Sequence, residues 1–172
     1  KKEDRRIDFN NIFSLNRIGT NDAVEGGASL TYGAEFSKVN KLEKEIFGAK
    51  IANIFRAEED KNLPRSSQLG EKTSNLVGSF NYSPTNNFKA KYDYSLDSNL
   101  TDTKYQLLTS EIKVNNFITT FEYLNENNTS DSASYLANKT EYSINDTTSF
   151  LLETRRNKKT KLTEFYNLMY QY

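Results

Sequence analysis

The sequence predicts an all-β fold, an antiparallel meander of about ten long strands that forms a curved open sheet or part of the wall of a transmembrane β-barrel. Apolar and polar residues alternate with a period of two along most of the chain, which is typical of strands with one wet face. The predicted strands are about 9–13 residues long, close to the ≈ 9–11 residues of a tilted membrane-spanning strand. Short and long connections also alternate, as they do in outer-membrane barrels.

The composition excludes several other classes. The chain has 172 residues, of which 35% are apolar and 13% aromatic, and its 23 Lys+Arg balance 23 Asp+Glu. With Gly counted and Tyr left out, the apolar fraction is about 33%, against about 45–50% in ordinary soluble domains, which is too little for a conventional core. Disorder would require few aromatic residues and a high net charge. No apolar run approaches the ~18 residues of a membrane-spanning helix.

Two residue types are missing altogether. Without Cys and His, disulfides, zinc ribbons, thiol chemistry, Ser-His-Asp hydrolysis and H-E-x-x-H sites are excluded, so we expect no enzyme, no cofactor and no metal. The balanced, scattered charge argues against nucleic-acid binding. No apolar segment follows the charged residues 1–6, so we expect no signal peptide and a chain that is either intracellular or cut from a longer protein.

The predicted strands follow one another with few breaks. The first, Ile7 to Leu15, is rich in apolar residues but alternates poorly. The clearest is Phe88 to Leu96, in which every second residue is apolar or aromatic and the residues between are polar. The remaining predicted strands are Leu30 to Phe36, Phe47 to Phe55, Leu76 to Tyr82, Leu108 to Val114, Phe117 to Tyr123, Leu136 to Ile144, Phe150 to Thr154 and Tyr166 to Tyr172.

The connections differ in length in a regular way. The short ones are 83–87, 115–116 and 145–147, and the long ones between them are 58–72, 97–102, 126–132 and 156–161. A soluble antiparallel sheet with one wet face would show the same alternation of residues, but it would bury its other face on a second sheet or on helices. The strand lengths, the alternation of short and long connections, and the Tyr-rich strand ends favour a membrane-spanning barrel over a soluble sheet.

Three groups of polar residues are candidates for function. In a barrel, the strand residues Lys89, Lys91, Asp93, Glu111 and Lys113 would form a solvated wall that faces a wet lumen. A basic patch follows at Arg155, Arg156, Lys158 and Lys159. It could meet anionic lipid headgroups, although a solvated charge run is the commoner explanation. The loop 17–27 contains three glycines and suggests a structured turn, with a simple hairpin loop as the more frequent alternative.

This loop also carries a family resemblance. Residues 11–17, then Gly19, Asp22, residues 25–27 and Tyr32-Gly33, resemble the hallmark stretch of the LptD family, lipopolysaccharide-assembly proteins also called organic solvent tolerance proteins (OstA, Imp). The segments 76–84 with 92–97, and 153–157 with 162–172, resemble later hairpins of the family barrel. The chain departs from the family pattern at Ala23, usually an Arg, and in lacking Cys. The family motif maps onto Asn16, Arg17, Gly19, Asp22, Glu25, Gly26 and Gly27.

The resemblance implies a place in a larger assembly. The family is similar in plan to a very wide outer-membrane barrel preceded by a periplasmic jellyroll, and it passes lipopolysaccharide to the outer leaflet without chemistry. Residues 1–172 would then be a section of barrel wall that lacks the jellyroll and the last strands. The implied partners are lipopolysaccharide, outer-membrane lipids, a plug lipoprotein similar to LptE and a periplasmic bridge similar to LptA. The implied location is the bacterial outer membrane.

Two other interpretations stay open at this point. Tyr172, with Tyr170 and Leu168 alternating before it, resembles the last strand of a complete barrel, so a self-contained ten-stranded outer-membrane porin or channel is the alternative. A soluble β-domain that binds a partner is the third possibility.

Overall fold

The chain forms nine strands in a single sheet. The computed structural model describes residues 6–15, 17, 25–63, 67–127 and 132–172, and it shows no helix in them. The strands are β1 (Ser29–Val39), β2 (Glu45–Arg56), β3 (Leu76–Thr85), β4 (Phe88–Leu96), β5 (Thr103–Val114), β6 (Phe117–Asn127), β7 (Ser132–Ser143), β8 (Ser149–Asn157) and β9 (Thr163–Gln171).

The sheet is an open antiparallel meander. Each strand pairs with the next one along the chain, in the order β1 to β9. Strands β1 and β9 each pair on one side, so within the described residues the sheet does not close into a barrel. The predicted all-β meander is therefore confirmed.

The strand predicted over Ile7 to Leu15 is wrong, because this segment folds into turns and leaves nine strands instead of about ten. The Asp8 carboxylate accepts hydrogen bonds from the backbone N–H groups of Asn10 at 2.8 Å and Asn11 at 3.1 Å, and the Ile12 N–H donates to the Asp8 carbonyl at 3.0 Å. Asp and Asn side chains that bond their own backbone compete with sheet pairing. We call residues 6–15 the strap.

The connections lie on two rims. The short-turn rim carries 40–44, 86–87, 115–116 and 144–148, and the long-loop rim carries 57–75, 97–102 and 158–162 and is also where β6 ends and β7 begins. The predicted alternation in length fails at the last pair, since 144–148 and 158–162 are equally long. Asn side chains fix several turns. Asn40 accepts from the Leu42 and Lys44 N–H groups, and Asn145 accepts from those of Thr147 and Thr148.

The register sorts the side chains onto two faces. Directly paired residues lie on the same face of a sheet, so the pairs Phe80–Tyr92 and Tyr92–Leu108 place apolar side chains side by side. We call this the apolar face. The opposite face carries Lys89, Lys91 and the residues paired with them, and we call it the polar face.

The buried core lies on the polar face, beneath the strap and the β2–β3 connection. It consists of Ile7, Ile12, Ala52, Ile54, Leu63, Leu69 and Val77, with Phe9 packed against it. At one end of the strap the Phe13 ring lies so close to Gly33 of β1 that a Cβ there would sit 3.0 Å from it. At the other end the Arg6 guanidinium lies 3.6 Å from the centre of the Tyr105 ring on β5. The strap therefore crosses the polar face from β1 to β5.

Candidate functional site

The five predicted wall residues lie together on the polar face of β4 and β5. Lys89 pairs directly with Glu111 across the two strands, and their side chains are 3.5 Å apart. Glu111 is also 3.4 Å from Lys113, and Lys91 is 2.8 Å from Asp93. The lysine side chains are 39–54% exposed, so these pairs are solvated. The structure places all five on one face of the sheet, and their lumen-facing role stays a prediction.

The charge pairing continues along the sheet. On the same face, Glu35 meets Lys50 at 2.7 Å and Lys139 meets Glu153 at 3.7 Å, each pair directly across two strands. Opposite charges placed opposite each other stabilise strand pairing weakly and keep the surface hydrated. This face can therefore present both signs of charge to an amphipathic molecule without a strong net field.

An open recess of about 340 Å³ lies beside the wall residues. Its polar lining consists of Asn81, Ser83, Lys89, Lys91, Thr109, Glu111 and Thr120. These side chains can donate and accept hydrogen bonds over a broad, shallow surface. Such a lining is suited to transient contacts with hydroxyl and phosphate groups and contains no nucleophile paired with a base.

The family-motif loop is only partly described. Asn16, Gly19 and Asp22 lie outside the described residues, whereas Arg17, Glu25, Gly26 and Gly27 lie within them. The Glu25 carboxylate is 3.2 Å from the Arg17 guanidinium and 2.6 Å from that of Arg56, the last residue of β2. Arg56 also donates to the Gly26 carbonyl. Residues 18–24 lie outside the described residues, so the choice between a structured turn and a simple hairpin loop stays a prediction.

This ion cluster is buried. The side chains of Arg56, Glu25 and Arg17 are 2%, 9% and 12% exposed. Gly27 has φ +77, a conformation that favours glycine, and its Cα approaches the Arg56 side chain. The cluster fastens the segment that precedes β1 to the end of β2, on the same face as the strap.

Sequence reasoning missed Arg56 and Arg6. Arg56 ends a strand that alternates visibly, so its place on the polar face could have been predicted, but its partner Glu25 lies 31 positions away. Arg6 stood in an unpatterned charged segment. Besides covering the Tyr105 ring, its guanidinium lies 3.8 Å from Glu126 on β6.

The predicted basic patch does not form one surface. Arg155 and Arg156 are neighbours in a strand, so they point to opposite faces. Arg155 lies on the polar face, 2.7 Å from Glu164 and stacked at 3.9 Å on the Tyr135 ring. Arg156 pairs with Leu136 on the apolar face. Lys158 covers the Tyr123 ring at 4.6 Å, and Lys159 contacts Ser132.

Aromatic side chains line the apolar face near the short-turn rim. Ring pairs bridge neighbouring strands at four places, with centroids 4.5–6.2 Å apart. A row of aromatic rings on the outward face is typical of the membrane interface in outer-membrane barrels. The pairs are Phe36–Phe47, Tyr82–Phe88, Phe117–Tyr142 and Phe150–Tyr170.

The part of the chain that the structure describes contains neither a metal-binding cluster nor a membrane-spanning helix. No group of three or more Asp or Glu side chains is placed to hold a metal ion there. No helix in the same residues is long and apolar enough to cross a membrane.

Comparison with known proteins gives a family match. A search of curated proteins finds no match. A scan against protein families finds the family described as LPS transport system D, LptD, whose model matches residues 3–158, a span that includes the strap, the motif loop and strands β1 to β8. The chain therefore belongs to the LptD family of lipopolysaccharide transport proteins.

Proposed function

We propose that this chain forms part of the wall of an outer-membrane translocon that assembles lipopolysaccharide into the outer leaflet. Family membership implies a role in lipopolysaccharide transport to the outer membrane. In the proposed arrangement the apolar face meets membrane lipid and the polar face meets an aqueous lumen. The transport involves no chemistry, because the polar wall guides an amphipathic lipid that then leaves sideways into the bilayer.

The observation that carries this proposal is the exposed apolar face. Large apolar side chains stand uncovered along it, among them Phe36 at 59%, Leu108 at 42%, Leu152 at 43% and Leu168 at 72% exposure. A surface of this extent is far larger than the scattered apolar patches of soluble monomers and needs a covering phase. The aromatic pairs at the short-turn rim support a lipid bilayer as that phase, with this rim at the membrane interface.

The free edges of β1 and β9 support a wall within a larger barrel. Unpaired backbone groups in hydrocarbon cost several kcal/mol each, so membrane-spanning sheets close on themselves. In the proposed assembly further strands pair with both edges. The section 1–172 is then one stretch of wall, with the periplasmic jellyroll and the last barrel strands supplied outside it.

The proposed partners follow from the two faces. Lipopolysaccharide combines acyl chains with phosphate and sugar groups, which suit a wall with mixed charges on one side and apolar side chains on the other. A plug lipoprotein similar to LptE would lie against the polar face. A periplasmic bridge similar to LptA would deliver lipopolysaccharide from the side of the short-turn rim.

Depletion of the protein in its own bacterium tests the proposal. We expect newly made lipopolysaccharide to accumulate in the inner membrane and to decline at the cell surface, measured by surface labelling and membrane fractionation. Unchanged surface lipopolysaccharide after depletion would contradict the proposal. Ion conductance across a planar bilayer separates it from the porin alternative, which predicts steady open-channel currents from the purified protein.

A further inference from the structure

The β8–β9 connection and the neighbouring strands form a basic recess on the apolar face. It encloses about 370 Å³ and lies between Tyr123, Leu136, Arg156, Lys158 and Lys161. Tyr123, Leu136 and Arg156 are directly paired across β6, β7 and β8, so they form one row on the apolar face. Three cations therefore surround an aromatic and an aliphatic side chain.

Among the residues that the structure describes, no negative charge is paired with the three cations. No ion pair joins Arg156, Lys158 or Lys161 to another of the described residues, whereas Arg155 is paired with Glu164. The Lys158 ammonium lies over the Tyr123 ring at 4.6 Å, which holds it above the recess. All three cations are exposed.

The loop that carries the two lysines has a defined shape. The Asn157 side chain accepts hydrogen bonds from the Lys159 and Thr160 N–H groups at 2.9 and 3.1 Å and donates to Glu164 at 3.0 Å. The Asn157 N–H donates to the Leu162 carbonyl at 2.8 Å. Lys158 and Lys161 are thus fixed at both ends of a closed turn.

The recess lies toward the long-loop rim, and in the proposed orientation its long cationic side chains extend toward a lipid headgroup layer. It stands at the long-loop rim, and on β6, β7 and β8 it is six positions from the aromatic residues Phe117, Tyr142 and Phe150. Six strand residues span about 20 Å along the strand, which is about 14–16 Å along the membrane normal at the ≈ 35–45° tilt of barrel strands. The outward apolar band of outer-membrane barrels is ≈ 25 Å tall, and Arg and Lys side chains extend several Å further to reach the polar interface.

We propose that this recess binds the phosphate group of an anionic lipid in the leaflet on the long-loop side of the membrane. This inference rests on the proposed orientation of the apolar face toward lipid. Arg156, Lys158 and Lys161 would contact the phosphate oxygens, since guanidinium and ammonium groups form short charge-assisted hydrogen bonds with them. Leu136 and the apolar side chains below it would contact the acyl chains.

A lipid fits the recess better than free phosphate does. The cations rise from the apolar face, and Leu136, which is 47% exposed, lies between them and the rest of the apolar face. Free phosphate would leave that apolar lining uncovered. An anionic lipid covers it with acyl chain while the cations neutralise its headgroup, as basic residues do at membrane surfaces.

Binding of lipid A to the purified protein, expressed from its complete reading frame, tests the proposal. Arg156→Gln, Lys158→Gln and Lys161→Gln are made singly and together, and affinity for bisphosphorylated lipid A is measured in detergent. We expect a loss of about fivefold for each charge removed. Lys159→Gln is the matched control, because it removes a charge from the same loop at a side chain that contacts Ser132 and does not line the recess.

Three results would overturn the inference. One is wild-type affinity in the triple variant, and another is an equal loss in Lys159→Gln. The third is evidence against a lipid phosphate as the ligand, either because inorganic phosphate displaces lipid A at equal concentration or because dephosphorylated lipid A binds as tightly as the bisphosphorylated form. Heat-modifiable mobility on gels reports whether each variant folds, and the single substitutions keep the test decisive if the triple variant does not. If lipid A binding does not depend on the recess but depletion of the protein still lowers surface lipopolysaccharide, the recess proposal is wrong and the proposed function is unaffected.

Discussion

The polar face is covered by the strap from β1 to Tyr105 at the start of β5, and it is bare over the rest of β4 and β5 and over most of the later strands. Over the first strands the strap and the 57–75 connection bury Ile12, Ile54 and Val77, and the Arg17–Glu25–Arg56 cluster is nearly inaccessible to solvent. Over the later strands the same face carries solvated pairs such as Lys89–Glu111. One sheet face therefore contains both a small protein core and a wet wall.

The difference predicts where the stability of the molecule lies. Groups in the covered part are removed from water, so losing one of them exposes the full cost of desolvation. Charges in the bare part interact through water and exchange partners at little cost. We expect substitutions in the covered part to change the free energy of unfolding, and substitutions in the bare part to leave it nearly unchanged.

The largest effect is expected at the buried ion cluster. Glu25→Gln would leave two buried guanidinium groups without their carboxylate and lower the free energy of unfolding by about 3–5 kcal/mol. Urea denaturation in lipid vesicles measures the change. Glu35→Gln, which breaks the solvated 2.7 Å pair with Lys50, is the matched control and should cost no more than about 1 kcal/mol. Equal losses in the two variants would show that the cluster is not a buried unit.

The strap provides the next largest effect. Ile12 is fully buried in the core cluster, so Ile12→Ala should lower the free energy of unfolding by about 2–5 kcal/mol. Leu15, at 103% exposure, lies in the same segment, and Leu15→Ala should change nothing measurable. If the two variants behave alike in the same denaturation assay, the strap does not pack on the sheet.

A substitution in the bare part of the polar face should change the free energy of unfolding only slightly. Glu111→Gln removes the carboxylate that Lys89 and Lys113 share, and because both lysines are solvated we expect a change of about 0–1 kcal/mol. The same denaturation assay measures it. A loss above about 2 kcal/mol would mean that this part of the face is covered as well.

The smallest effect is confined to acid pH and to the β4–β5 connection. The Asp102 N–H donates to the Asp97 carboxylate at 3.1 Å and, with hydrogen bonds from Thr101, lowers its pKa below the usual 3.8. Because the folded pKa is the lower one, this stabilisation is complete above about pH 4 and is lost as the pH falls through the folded pKa. In Asp97→Asn, the free energy of unfolding should fall less steeply as the pH drops below about 4. An unchanged pH dependence would contradict a lowered pKa at Asp97.

The sequence predicted the parts of the fold that depend on local periodicity. In β4, Phe88, Ala90, Tyr92 and Tyr94 alternate with polar residues, and this alternation alone indicated the strand and its two faces. The same alternation places the five wall residues on one face of β4 and β5. Periodicity does not depend on distant contacts, so it can be read from one segment at a time.

Features that depend on distant contacts could not be predicted in this way. Ile7 to Leu15 has the composition of a strand, and only the bonds of Asp8 to its own turn and the burial of Ile7 and Ile12 against β2 show otherwise. The contact of Arg56 with Glu25 and that of Lys158 with Tyr123 depend on the register of several strands. Because neighbouring residues in a strand point to opposite faces, the sequence could have placed Arg155 and Arg156 on different faces. Only the strand register identifies their partners.

Labelling of single cysteines along β4 tests the two-faced wall most directly, because this chain contains no cysteine. Cysteines replace Lys89, Ala90, Lys91, Tyr92 and Asp93 one at a time, in a protein without other thiols, and react with a membrane-impermeant maleimide in lipid vesicles. We predict that positions 89, 91 and 93 react rapidly, while positions 90 and 92 are protected and are quenched by lipid-borne probes. Equal reaction at all five positions would contradict a wall with lipid on one side and water on the other.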